Sequence, residues 1–364
     1  MTSEATFYRR AEHWLNRFME LNPVLATELG DHQWDDRLSD RTPQAVESEY
    51  QEVLAALAEF KAMNAAEFRL DAQIDHELVV RIFEAQVRAY EKSQVHKRNP
   101  GFYLDEVIGG VFLLIMKEFA PLPQRLRSAL GRMKEIPRVL QEVKQNLVPA
   151  LVPKVWVETT LEQARQAGGL FQGLLPAMAA QAAPDLQPEL VKAGQAAAVA
   201  VQEFVEFLQG EVLPQAVGDF AAGRDLFDEL LREEHMVDYN ADQLLETGWQ
   251  QFHETQALMK AVAREIDPDK SVQEIMEEAK ADHPSAEELL DAYRTEMSAM
   301  RQYVIDHDIA TIPEGESLRV VETPVYLQPI LPYAAYMSPG ILEEKQEGMF
   351  LVTPVDPHAS PEQQ

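Results

Sequence analysis

A mostly α-helical, multi-helix array with a small β element near the C-terminus, at about residues 317–353, is the fold class predicted by this sequence. Apolar residues recur every three or four positions over long stretches, helix-start signals precede several of them, and strand-like runs appear only after His307. Thr42-Pro43 opens the first clear case, with threonine as cap and proline at the first helical position. Val46, Tyr50, Val53, Leu57 and Phe60 follow as one buried face.

Asn240 opens another helix, with Gln243 at the capping-box position and an apolar stripe of Leu245, Trp249, Phe252, Met259, Val262 and Ile266. Ser271 with Glu274 and Ser285 with Glu288 form two further capping boxes. Residues 187–208 are rich in alanine and valine, which suits close helix packing, and prolines such as Pro137 and Pro176 mark expected ends, starts or kinks. After Pro313 and Gly315 the character changes: Leu318 to Thr323 and Met349 to Thr353 read as strands, and Val325 to Tyr336 as an extended, proline- and aromatic-rich segment. The expected organisation is a helical domain over 1–310, a strand-containing segment over 311–357 that completes or continues it, and a frayed tail over 358–364.

Composition narrows the function classes. With 364 residues, 46% hydrophobic and 26% charged, the chain is apolar enough to build its own core. The net charge of -29 repels phosphate backbones and anionic lipids, so neither nucleic acid nor membrane is an expected partner. One basic run (Arg125, Arg127, Arg132, Lys134, Arg138, Lys144) is expected to be a helix facing acidic neighbours within the protein. With no cysteine, disulfides, thiol catalysis and thiolate metal sites are excluded, and a cysteine-linked lipid anchor is not expected. Met1 to Arg10 lacks the apolar core of a signal peptide, and the apolar run Val107 to Met116 is too short to span a bilayer. A cytoplasmic location is the expectation.

Catalytic chemistry is hard to locate. A zinc-peptidase helix presents His-Glu-x-x-His, which puts two imidazoles on one face with glutamate as base. His76-Glu77 and His253-Glu254 both lack the second histidine and read as polar helix faces. Asp31, His32, Asp35, Asp36 and Asp40 resemble a hard-metal loop only loosely, without the glycine and closing glutamate of a calcium loop. Glu233, Glu234, His235 and Asp238 read as a salt-bridged surface turn. There is no Gly-x-Ser-x-Gly elbow, phosphate loop or dinucleotide fingerprint, and in so acidic a chain carboxylate pairs single out nothing. No catalytic and no metal-binding residue is therefore assigned. Tyr326, Tyr333 and Tyr336, tethered among prolines, are candidates for a ligand groove or for a packed loop-to-helix join.

The order of several landmarks is informative. Leu21-Asn22-Pro23-Val24-Leu25-Ala26-Thr27-Glu28-Leu29-Gly30 is followed by Leu38-Ser39-Asp40, Asn99-Pro100-Gly101-Phe102-Tyr103, and Asn240-Ala241-Asp242-Gln243-Leu244-Leu245-Glu246-Thr247-Gly248-Trp249. The strand to Pro324 and Tyr333-Ala334-Ala335-Tyr336-Met337-Ser338-Pro339 close the series. In that order the chain resembles the bacterial family called "domain of unknown function 885". The resemblance implies a mostly helical, zinc-metallopeptidase-like protein longer than this chain, whose metal motif (His-Glu, then Pro-Gly-His) follows the region matching Met349 to Pro357. None of those ligands carries over to a residue here, so this chain is expected to be the N-terminal portion, to hold no cofactor and to lack catalysis alone, with zinc implied for full-length relatives.

The resemblance further implies that Gly348 to Thr353 is an edge strand against which a peptide lies. Met349, Phe350, Leu351 and Val352, with Tyr333 and Tyr336, would then be substrate-binding residues. The expected partners are a peptide ligand or a second polypeptide supplying the C-terminal half. The alternatives are a stand-alone, non-catalytic helical protein that binds a peptide or protein, and an independent metal enzyme using His32 with nearby aspartates.

Overall fold

The computed structural model describes residues 4–355, apart from 281, 282, 326, 329 and 330 and the side chain of Gln166. The expected tail and Tyr326 lie outside the described residues. Helix accounts for 71% of the chain, and the β element is a three-stranded sheet within residues 317–352.

The chain forms two compact units. The first comprises residues 1–221, 313–319 and 323–350, and the second residues 222–312, 320–322 and 351–364. Regular helix lapses before the boundary, from Ala216 to Gly223, where Gly223 adopts a positive φ of 81°.

In the first unit α1 (Glu4–Leu21), α2 (Pro23–Leu29), α3 (Pro43–Lys61), α4 (Leu70–Arg88) and α5 (Val95–Arg98) precede the core helices α6 (Pro100–Met116) and α7 (Leu122–Asn146). α8 (Lys154–Gly168), α9 (Leu175–Ala182) and α10 (Gln187–Phe207) complete it. Thr42 caps α3 as expected, its hydroxyl accepting from the Ala45 N–H, and Val53, Ala56 and Phe60 are buried. Ala56 and Phe60 join Phe7 and Phe68 in a small, largely aromatic cluster. α6 is apolar on nearly every side and lies inside the main core, packed by α7 and α8, with α10 against α7. Among the described residues no single helix is long and apolar enough to cross a membrane.

Pro137 sits within α7, which continues through it. Between residues 89 and 212 three helical runs loosen into π turns, Ala89–Ser93, Gly169–Leu174 and Leu208–Val212. The α10 backbone presses against the second of these: a Cβ on Gly194 would lie 2.2 Å from the Phe171 carbonyl oxygen.

The basic run lies on α7, but its buried members mostly seek backbone carbonyls rather than acids. Arg125 donates to the carbonyls of Leu114, Ile115, Lys117 and Ala120, capping the end of α6. Arg132 is fully buried and donates to the carbonyls of Arg37, Gly110 and Pro23 and to the Thr27 hydroxyl. Desolvation pushes its pKa down to about 10, which leaves it charged at neutral pH. Arg138 does meet acids, Glu135 and Glu142, and Lys134 meets Glu189.

The second unit holds α11 (Arg224–Glu233), α12 (Ala241–Ile266), α13 (Val272–Lys280) and α14 (Leu289–Asp306). The Asn240 capping box forms in both directions with Gln243, and Ser271 with Glu274 does the same before α13. Ser285 and Glu288 also hydrogen-bond, but the segment between them is a turn and α14 begins only at Leu289.

The strands are β1 (Ser317–Glu322), β2 (Ala334–Met337) and β3 (Glu347–Val352), in the order β1-β3-β2. β1 and β3 lie where the sequence predicts strands; β2 adds a short strand inside the segment expected to be merely extended. Two strands alone would be marginal, and the third gives β3 partners on both sides.

Candidate functional site

A cavity of about 600 Å³ lies within the first unit, bounded by the α1–α2 junction, residues 39–41 and one face of α6. Phe18, Val24, Leu25, Phe112 and Leu113 make it mainly apolar, and Leu327 and Met337 reach it from the segment around β2. Polar groups are few: Asn22, Glu28, Ser39, Arg41, Asp105, Glu106 and Gln163. That proportion of apolar wall to sparse polar groups is the usual make-up of a small-molecule pocket.

The charges in the wall divide sharply. Arg41 donates through Nε to Glu106 at 2.7 Å, Glu106 also accepts the Ser39 N–H at 2.9 Å, and the Arg41 N–H donates to Glu142. Burial alone would raise the Glu106 pKa, but Arg41 and Ser39 outweigh it and hold the carboxyl below its ordinary range. This pair is closed on itself and pins residues 39–41 to α6 and α7. Asp105 is different. It keeps access to solvent, yet desolvation by its surroundings raises its pKa, and no hydrogen bond or ion pair offsets this among the described residues. The Ser39 hydroxyl is also buried without a hydrogen-bond partner among the described residues.

Nearby, His32 is clamped between carboxylates. Its Nδ1 lies 3.0 Å from Asp35, its Nε2 3.3 Å from Glu343, and its ring stacks on Phe119 at 3.6 Å. Asp35 also accepts from the Thr27 hydroxyl at 2.6 Å, and Lys117 lies 3.7 Å from Glu343. The acidic stretch around His32 is thus a staple between two loops. With both ring nitrogens facing acids, the arrangement suits an imidazolium rather than a metal ligand.

Burial lowers the His32 pKa, and the bonds and charges of Asp35 and Glu343 more than reverse this, raising it above 6.5. A raised folded pKa means the staple contributes fully below pH 6.5 and is lost as pH rises through the folded value. Replacing His32 with glutamine is expected to cost about 2 kcal/mol at the acidic end. It should also flatten the decline in melting temperature that the parent shows from mildly acid to mildly alkaline pH. Melting curves of both proteins across that range check this; parallel pH profiles would refute it.

The histidines of the two His-Glu pairs fit zinc no better. His76 Nε2 is 2.9 Å from the Phe60 carbonyl oxygen and its ring packs on Phe7, while the His253 ring stacks on Trp249. Among the described residues no three His, Asp or Glu side chains gather where they could hold a metal ion.

The sequence-based substrate residues scatter. Met349, Leu351 and Val352 are buried in β3, while Phe350 is half-buried. The edge-strand role expected for residues 348–353 does not hold for β3, because its backbone partners on both sides are β1 and β2. Tyr333 is 81% exposed. Tyr336 is also exposed, but its ring lies over Gly348, where a Cβ would come within 2.6 Å of its hydroxyl oxygen. Cross-strand cover of a glycine by an aromatic ring is a sheet-stabilising device. Neither tyrosine lines the cavity; Met337, one residue beyond Tyr336, does.

A second candidate surface lies on α12. Leu245, Trp249, Phe252, Met259, Val262 and Ile266, read from the sequence as an apolar stripe, are all exposed, and Leu258 is 63% exposed. Part of the row meets α13 in a groove of about 300 Å³ that includes Met276.

These features define a class: a mostly helical protein with a small sheet and a ligand-sized cavity. Residues 23–364 match the family described as "Bacterial protein of unknown function (DUF885)", and the chain belongs to that family. No curated protein matches it. Among solved structures it is similar to one titled as a "putative lipoprotein of unknown function" from Shewanella oneidensis, with a TM-score of 0.72 and 19% identity over 99% of this chain and 66% of that one. A second, titled as a "putative lipoprotein" from Colwellia psychrerythraea, has a TM-score of 0.72 and 14% identity over 96% of this chain and 67% of that one. At these identities the likeness shows a shared fold. The chain spans about two thirds of the length of each.

Proposed function

We propose that this chain is the helical wall of a zinc-metallopeptidase-like protein, contributing binding surface rather than the hydrolytic centre. The observation that carries the reading is the apolar row of α12. A 26-residue helix holds Trp249 and Phe252 at more than half exposure, and α13 meets only the later part of the row among the described residues of its own unit; exposed rows of that size mark packing surfaces. In the solved neighbours about a third of the chain lies outside the match, and a segment equivalent to it is the proposed occupant. His32 and His76 are held by other partners in the fold.

The purified chain, dialysed and analysed for metal, is expected to retain well under one zinc per molecule and to show no chelator-sensitive peptide hydrolysis. Stoichiometric zinc accompanied by such hydrolysis would defeat the proposal.

A further inference from the structure

We propose that the cavity beside α6 is a binding site for a small monoamine with an apolar body, its ammonium held by Asp105. The inference is independent of the metallopeptidase-like reading, because it concerns only groups in the wall of this one cavity. The volume of about 600 Å³ lies inside the 300–1,000 Å³ range of small-molecule sites. Access is provided, since Asp105 and Phe102 in its wall are both solvent-exposed.

Charge decides the class of ligand. Arg41 is the one cationic side chain in the wall among the described residues, and it is already engaged by Glu106 at 2.7 Å and by Glu49 at 3.9 Å. An anionic ligand would therefore have to displace a buried ion pair while facing Asp105, Glu106 and Glu28. Asp105 has the opposite need: a carboxylate among apolar neighbours, without a hydrogen bond or ion pair among the described residues, is stabilised by an incoming cation.

The remaining walls, including Phe18, Phe112 and Leu113, suit an aromatic or branched aliphatic body.

Gly109 supplies a clean control. It lies in the cavity wall on α6, and a Cβ there would meet no atom within 4 Å. A larger side chain at this position projects from the α6 face that lines the cavity.

Calorimetric titration of the full chain with 2-phenylethylamine, phenylacetate and 2-phenylethanol tests the assignment. The amine is expected to bind at one site, at least tenfold more tightly than the other two. Asp105→Asn should weaken the amine at least tenfold. Gly109→Leu should abolish binding while leaving the melting temperature at or above that of the parent, so the test survives even if Asp105→Asn folds poorly. Equal binding of amine and phenylacetate, failure of the parent to bind the amine, or unchanged binding by Gly109→Leu would each overturn the proposal.

Discussion

Replacing Arg132 with methionine will cost the first unit about 3–5 kcal/mol, the range seen when one member of a buried charged network is removed. The guanidinium is fully buried and donates to four acceptors on three separate segments: Pro23 and Thr27 on α2, Arg37 in the following loop, and Gly110 on α6. Asp35, 3.9 Å away, is 6% exposed and would be left to His32 for its positive charge. Methionine fills similar space but leaves a buried carboxylate short of positive charge and several oxygens short of a donor. Lysine will not restore the loss, because a compact ammonium cannot reach acceptors arranged around a planar fork. Urea unfolding of the parent, Arg132→Met and Arg132→Lys measures the effect. A cost below about 1 kcal/mol for methionine would show that hydrophobic filling compensates, as it can when all members of such a network are replaced together.

The second large effect is expected at Gly194, and its sign is the informative part. Glycine within a helix is worse than alanine by roughly 0.5–1 kcal/mol, so alanine normally stabilises such a site. At Gly194 a Cβ would stand 2.2 Å from the Phe171 carbonyl oxygen and 3.0 Å from its carbon, both backbone atoms that cannot swing aside. Gly194→Ala must therefore force α10 and the π turn apart, and a loss of about 2–3 kcal/mol is expected. A Cβ added at Gly248 on α12 would meet no atom within 4 Å, and Gly248→Ala is expected to gain up to about 1 kcal/mol. Thermal melting of the two variants should move in opposite directions. Stabilisation by both would mean that α10 packs less closely on Phe171 than the structure has it.

Local chemistry was legible from sequence where a residue acts on its own neighbours. Thr42, Asn240 and Ser271 reach only three residues ahead, and each does what its type and spacing predict. β1 and β3 were legible for the same reason, as runs of apolar residues between turn formers. β2 was not, because four residues among prolines become a strand only through a partner, here β3. The apolar periodicity of α12 was readable, but periodicity reports which face is apolar and not whether anything covers it.

The cavity was illegible for a stronger reason: its wall draws on residues from Phe18 to Met337, and no window of sequence contains them together. Asp105 and Ser39 are single polar residues in ordinary surroundings until the fold removes their partners. His32 did stand out, as the histidine of the densest acidic stretch. Its second carboxylate, Glu343, lies 311 positions away and turns a metal-like loop into an ionic staple.

The three π turns have a genetic consequence. Each holds one more residue per turn than the surrounding helix, a surplus that an insertion can create and a deletion can erase. In an ordinary helix, losing one codon rotates everything downstream by about 100° relative to what precedes it. Within Gly169–Leu174 or Leu208–Val212 the same lesion could be absorbed by tightening the coil. These turns are therefore the places where the chain's reading of helical phase is open to revision, and where related sequences should be found to differ in length by single residues without a change of fold.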